Sequence, residues 1–461
     1  MNVNYFYTLP TPDKASRRLA AGWLQLGIAA LIATGIFSIL LAMARTPYIK
    51  DIFPWNNFFQ TAMVVHVNLS VLMWFLPFAG IIWSYNCSAR HLNWGRWALY
   101  LAVIGTIVVV ASPFVDSGTP LMNNYFPVIE GPIFFTGMGL FGIGFAILVI
   151  RTLSTSLPLG TLEEGTTGLR VGIYAAAIAA AVAIGAIIWA YFAIPNTIEH
   201  EEYYEVLFWG GGHVLQFTHT LLMLVAWMWL ASASGVRLSL TPRVTGTVFA
   251  LGIILIFITP LIYLGYDIMS PKASIWFTRL MAAGGGMAPI PLGLAILAGL
   301  LFSGKIFQSD KPALKTALIY SIIMFGVGGI FGFLLQLQQN STLTTAHYHA
   351  SNGAVTIAFM GLCYLLLPLL GFQKPNLRLA NIQAHAFGMG QLLHVLGLAW
   401  AGGYGMKRKI AGSEQSLDNI QQTLGMTLMG IGGLIAVVGG LLFLIIVIRA
   451  MRHRPTHEES S

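Results

Sequence analysis

About twelve stretches of this chain are apolar for long enough to cross a bilayer, which takes roughly 18 residues. They lie near 19–43, 59–85, 95–113, 130–152, 169–194, 206–232, 244–265, 275–303, 314–337, 345–372, 380–404 and 422–449. In hydrocarbon every backbone N–H and C=O must find its partner within the segment, so runs of this length fold as helices. Only 9% of the 461 residues are charged, where a soluble domain carries about a quarter. The expected fold is therefore all-α, an integral membrane bundle of about 12 transmembrane helices. The spans leave no room for a soluble domain, and the chain reads as a single domain over 1–461.

The first span follows the polar segment TPDKASRR and is too long, and too poor in flanking small residues, for a cleaved signal peptide; it reads as a retained helix. With the N-terminus in the cytoplasm, most of the 24 Lys and Arg fall on the inner side, among them Lys14, Arg17, Arg18, Arg90, Arg96, Arg151 and Arg170. That is the positive-inside pattern, and it places both termini in the cytoplasm of a cell whose inner (plasma) membrane the chain crosses many times. The net charge of +8 reflects this bias and gives no reason to expect nucleic acid. The two cysteines, Cys87 and Cys363, have no metal-like spacing. The glycines, with runs such as GIGGL near 430, read as helix-packing surfaces rather than phosphate loops. The outer connection PNTIEHEEYYE over 195–205 is acidic: a solvated rim, or alternatively a route for protons or a docking surface.

Imidazoles inside spans are costly and point to function. His347 and His349 stand in the first turn of the tenth span, and at 100° per residue they diverge by about 200°. His66 lies about two turns into the second span and His213 about two turns into the sixth. On the assigned topology all four share the outer third of the bilayer on three helices. Such a layer suits a metal centre, and a flat cofactor gripped by histidines from two helices is what b-type haem requires. His385 and His394 on the eleventh span read as packing or supporting histidines, and His219 is rotated by about 240° from His213. His91, His200, His453 and His457 fall in loops or the tail.

This order of histidines, with FWGGGHVLQF around His213 and TTAHYHASNG around His347 and His349, resembles subunit I of the haem-copper oxidase superfamily, which includes oxygen-reducing oxidases and nitric oxide reductases. The likeness covers nearly the whole chain. It implies two haems, with b-type favoured: a low-spin one ligated by His66 and His349, and a high-spin one ligated by His347. It implies further that His213 binds an adjacent non-haem metal, copper or iron. GLAWAGGYGMKRKIAG resembles the family's propionate-binding turn, with Arg408 and Lys409 in the cationic positions and Lys407 where proline is usual. A smaller partner subunit, admitting electrons through an outer-facing redox domain from cytochrome c or quinol, is expected on the same ground, as is membrane lipid.

The chain also departs from the family. The paired histidines of the seventh span are missing from 244–280, where PLIYLGYDIMSPKAS stands. Phe217 occupies the sixth-span tyrosine position, and the eighth span lacks the lysine of the common proton path. Asp267, Tyr263 or Tyr266 would be the oxygen ligands if a harder metal sits beside His213. The apolar inner halves of spans six and eight argue against proton pumping. The resemblance implies a respiratory oxidoreductase that reduces oxygen or nitric oxide. The alternative is a catalytically reduced homologue that carries electrons or binds gas through two haems without copper. A twelve-span transporter would show internal repeats and broken midplane helices, and neither is visible.

Overall fold

The computed structural model of the protein describes residues 5–45, 58–115, 118–302, 311–334, 341–408 and 417–452. Helix starts follow local chemistry. α1 (Lys14–Arg45) opens where Asp13 Oδ1 accepts from the N–H groups of Ala15 at 2.8 Å and Ser16 at 3.0 Å. α2 (Phe58–Tyr85) and α3 (Leu92–Val115) follow, then a hairpin of β1 (Thr119–Leu121) and β2 (Val128–Glu130), paired antiparallel with Thr119 opposite Glu130. α4 (Pro132–Thr155) starts on a proline whose missing N–H costs nothing there. α5 (Gly165–Ala193) and α6 (His200–Ala233) complete the first half of the chain.

The expected seventh and eighth spans are each divided. One becomes α7 (Pro242–Leu251), a 3-10 turn over Ile254–Ile258 and α8 (Thr259–Gly265); the other becomes α9 (Pro271–Gly284) and α10 (Pro289–Phe302). Pro260 lacks the donor that a continuous helix needs, and the run Gly284–Gly286 ahead of Pro289 and Pro291 weakens the second. α11 (Pro312–Leu334), α12 (Thr342–Leu369), α13 (Leu377–Gly403) and α14 (Ile420–Arg452) finish the described chain.

Among the described residues eleven helical segments are long and apolar enough to cross a membrane. The span expected at 380–404 is the 27-residue α13, which is not one of the eleven because Asn381, Gln383, His385, Gln391 and His394 lower its hydropathy. Several of those polar groups are bonded to neighbouring helices, among them Gln383, whose Oε1 accepts from Tyr364 at 2.8 Å, and Asn381, whose Oδ1 accepts from Thr316 at 2.8 Å.

The chain forms two compact units, and passes from one to the other within α6. The first comprises Leu9–Leu222 and Pro242–Pro289. In it α1 lies along α2, α3 along α4, and α5 along α7. Asn68 on α2 is buried and its amide donates to Val64 O at 2.9 Å and Pro127 O at 2.7 Å, which ties the helix to the loop before β2. Asn68→Ala strands the Pro127 carbonyl, and a loss of about 1–3 kcal/mol is expected in thermal or denaturant unfolding of the detergent-solubilised protein. A Tm equal to that of the parent protein would show that the loop is held by other means.

The second unit holds, of the described residues, those from Tyr5 to Thr8, Met223–Thr241 and those from Ile290 onward. α11 packs along α12 and α13 along α14, with α12 against α13 between them. Trp227 Nε1 donates to Ser321 Oγ at 2.6 Å, which in turn donates to Ala354 O at 2.7 Å, so indole and hydroxyl are both satisfied deep in the unit.

Candidate functional site

Among the described residues, the three most enclosed spans are the ones that carry His66, His213, and the pair His347 and His349. In the most apolar window of each, α6 is 94% buried, α2 78% and α12 72%, against 50% or less for the rest. His213 is buried within its helix, while His66, His347 and His349 are half-buried.

On α2, His66 turns towards α1. Its Nδ1 lies 3.2 Å from Thr34 O and 3.3 Å from Ser38 Oγ. A carbonyl can only accept, so Nδ1 carries the proton and Nε2 keeps its lone pair. Ser38 already donates to Thr34 O at 2.9 Å, which leaves its oxygen free to share the His66 proton.

His213 is 4% exposed, and its Nδ1 donates to Trp209 O one turn back, at 2.7 Å. Three rings enclose it: Tyr125 at 4.8 Å between centroids, Trp209 at 4.9 Å and Phe277 at 6.2 Å. The preceding glycine run makes this enclosure sterically feasible. A Cβ on Gly210 would overlap the Tyr263 hydroxyl, one on Gly211 the Ile187 side chain and one on Gly212 the Tyr125 ring, so each glycine admits a different neighbour. Burial, followed by the nearby Glu205 carboxylate, pushes the Tyr125 phenol well above its ordinary value, so it faces His213 as a neutral group. Glu205 in turn accepts from the Asn124 backbone N–H at 2.9 Å, so part of the acidic segment 195–205 pins the loop that delivers Tyr125.

Asp267, expected as an oxygen ligand, is exposed, and its Oδ1 accepts from Met269 N at 2.8 Å. It lines a cleft of about 240 Å³ with Trp189, Tyr263 and Tyr266. Tyr263 reaches further inward: its ring packs on Phe277 at 5.2 Å, and its buried hydroxyl makes no hydrogen bond. Among the described residues, no three His, Cys, Asp or Glu side chains gather as a metal-binding group.

In the second unit the pair on α12 diverges as its spacing requires. His347 faces α11, where Nδ1 donates to Gly328 O at 2.7 Å. A Cβ on Gly332 would stand 2.8 Å from its Cε1, so this glycine opens the seat for the ring. His349 faces α13 and meets His394 edge to face, centroids 5.0 Å apart at 60°. His394 Nδ1 donates to Met429 O on α14 at 3.0 Å. His394, expected to pack or support, is thus in ring contact with one of the proposed ligands. Its depth in the span had no bearing on that contact, which the choice of helix neighbours decides.

Arg408 is brought to the first turn of α12, because Lys407 bridges to Ser341 and Thr342 N donates to Met406 O at 2.8 Å. Lys409 lies outside the described residues. His219 is buried with its ring 5.1 Å from that of Phe75 and its Nε2 unbonded, while His385 is exposed, 3.4 Å from the Tyr320 hydroxyl.

Comparison with known proteins bears on the family and the fold. An uncharacterized protein of Rickettsia prowazekii (strain Madrid E) is 29% identical, over 96% of this chain and 97% of its own length. Another, from Aquifex aeolicus (strain VF5), is 26% identical over 76% of this chain and 85% of its own. The solved structure of a heme-copper terminal oxidase dimer shares the fold, with a TM-score of 0.71 at 16% identity, covering 96% of this chain and 85% of that one. The family model described as cytochrome c and quinol oxidase polypeptide I matches residues 18–442. The chain therefore belongs to that family, the haem-copper oxidase subunit I group of integral membrane respiratory oxidoreductases.

Proposed function

We propose that the protein is a haem-bearing subunit that accepts electrons and reduces oxygen or nitric oxide. The observation that carries this reading is the common state of His66, His213 and His347. Each places Nδ1 within hydrogen-bond distance of a backbone carbonyl, which in a neutral imidazole leaves the lone pair on Nε2, the arrangement that metal-ligating histidines adopt. These residues therefore fit haem as the family implies it. When bound, haem with two protein ligands relays electrons, and haem with one offers an open position to a small ligand.

His66 and His349 are the proposed donors of the first kind, and His347 of the second. The seat between Gly328 and Gly332 holds the His347 ring in one orientation. His213, inside its aromatic enclosure, is proposed to face the bound small ligand or to hold a non-haem metal, and Asp267 remains the proposed oxygen donor to such a metal. Arg408 and Lys409 are proposed to neutralise haem carboxylates, as charge-assisted pairs do for other anions. The smaller redox subunit, and cytochrome c or quinol as donor, are proposed from the family resemblance.

Haem and metal quantitation on the purified protein, with a reduced-plus-carbon-monoxide difference spectrum, tests the reading. Two haems per chain, one of them binding carbon monoxide, are the expected result. Purified protein without a Soret band would overturn it and return attention to a transporter. The missing histidine pair in 244–280 favours one second reading, an electron carrier without a copper site. Two haems, no carbon monoxide binding and no further metal would select it.

A further inference from the structure

His394 occupies an unusual position for a histidine in a membrane helix. On one side it is fixed to α14: Nδ1 donates to Met429 O at 3.0 Å, and a Cβ on Gly433 would stand 3.1 Å from that same Nδ1. The backbone beneath it is held as closely, since a Cβ on Gly432 would overlap the His394 nitrogen. On the other side its ring meets His349 edge to face at 5.0 Å. Around this contact Ala346 and Ala350 of α12 pack with Val395 and Leu398 of α13 in a closed apolar cluster, against which Met429 also packs. The imidazole therefore has little freedom to turn, and what it touches on α12 is constrained with it.

We propose that His394 is a positioning residue for His349, transmitting the fixed geometry of α14 to the rotation of the His349 ring and so to the plane of the axial imidazole. The proposal rests on the reading of His349 as a haem ligand. Its Nδ1 is committed to Met429, so the ring is held in one orientation where it meets His349 edge to face, and that packing contact limits how the His349 ring can turn. Residues that hold metal-bound histidines in this way are usually worth about 10- to 100-fold in metal affinity.

The test uses the full-length protein with its haems. His394→Ala is expected to keep the low-spin haem while altering its electron paramagnetic resonance g-values, which report the axial ring planes, and to weaken haem retention about 10-fold or more. A tenfold difference in that weakening between the oxidised and reduced states would move the midpoint potential by about 59 mV. His394→Asn, which places an amide near the position of Nδ1, is expected to restore much of the parent signal. Gly433→Ala crowds the same ring without removing it and is expected to shift the g-values in the same sense, which keeps the test open should His394→Ala not fold. Parent g-values and potential in both His394→Ala and Gly433→Ala would overturn the proposal while leaving His349 a ligand. Loss of low-spin haem in His394→Ala with retention in His349→Ala would overturn it by making His394 the ligand. Absence of any low-spin signal in the parent protein would remove the underlying reading as well.

Discussion

In the His349→Ala protein, and equally in His66→Ala, the low-spin haem spectrum is expected to be lost, whereas His347→Ala keeps that spectrum and loses carbon monoxide binding. The separation follows from the helix. His347 and His349 leave α12 about 200° apart, one ring held by the Gly328 carbonyl of α11 and the other in contact with His394 of α13. Deleting one imidazole therefore leaves the seat of the other intact. Changes to a residue that merely supports a ligand cost about 10- to 100-fold in affinity, and removing the donor atom itself should exceed that, so the signal disappears instead of shifting. Reduced-minus-oxidised spectra, with and without carbon monoxide, read all three variants. His385→Ala serves as the control, because His385 is exposed on α13 and none of its change should reach either haem. A normal low-spin spectrum in both His66→Ala and His349→Ala would remove the ligand assignment altogether.

The reach of sequence reasoning here follows from what hydropathy measures. Transfer free energy along the chain located the helices well: the span expected at 130–152 is Pro132–Thr155, that at 169–194 is Gly165–Ala193, and that at 345–372 is Thr342–Leu369. It did not see the breaks in the seventh and eighth spans, although Pro260 and the run Gly284–Gly286 were visible, because an apolar window stays apolar across a proline. The divergence of His347 and His349 was legible because it depends on one helix alone. The contact between His349 and His394 was not, since it depends on which face of α13 meets α12, and neither periodicity nor depth encodes that. The glycines before His213 were read as part of a motif; that each admits a separate neighbour, Tyr263, Ile187 or Tyr125, required three other elements to be in place. In the same way Glu205 looked like one charge on an acidic rim until the loop carrying Asn124 was brought beside it.

Gly432→Leu is expected to be among the most damaging single substitutions outside the proposed haem ligands. Along the α13–α14 contact, Gly390 and Gly397 on one helix meet Gly432 and Gly425 on the other, and Gly439 meets the Phe387 backbone, so backbone faces backbone at each. Their spacing of seven returns each to nearly the same face, within about 20° per repeat. Small residues of this kind let membrane helices approach closely enough for dispersion contacts to hold them. A Cβ on Gly432 would overlap the His394 nitrogen and stand 2.7 Å from Gly390 O, atoms of backbone that cannot rotate away. The two helices must therefore separate along much of their contact. Overpacking ordinarily costs about 1–3 kcal/mol and occasionally more, and with rigid backbone on both sides the upper end or beyond is expected, seen as a lower Tm of the solubilised protein. Because His394 rides on the displaced backbone, the low-spin haem g-values should change in the same variant. A Cβ on Gly430 or Gly440 of the same helix would meet nothing within 4 Å, so leucine at either should leave both Tm and spectrum near the parent values. Equal behaviour of Gly432→Leu and Gly430→Leu would mean that the α13–α14 approach is not what holds this part of the molecule together.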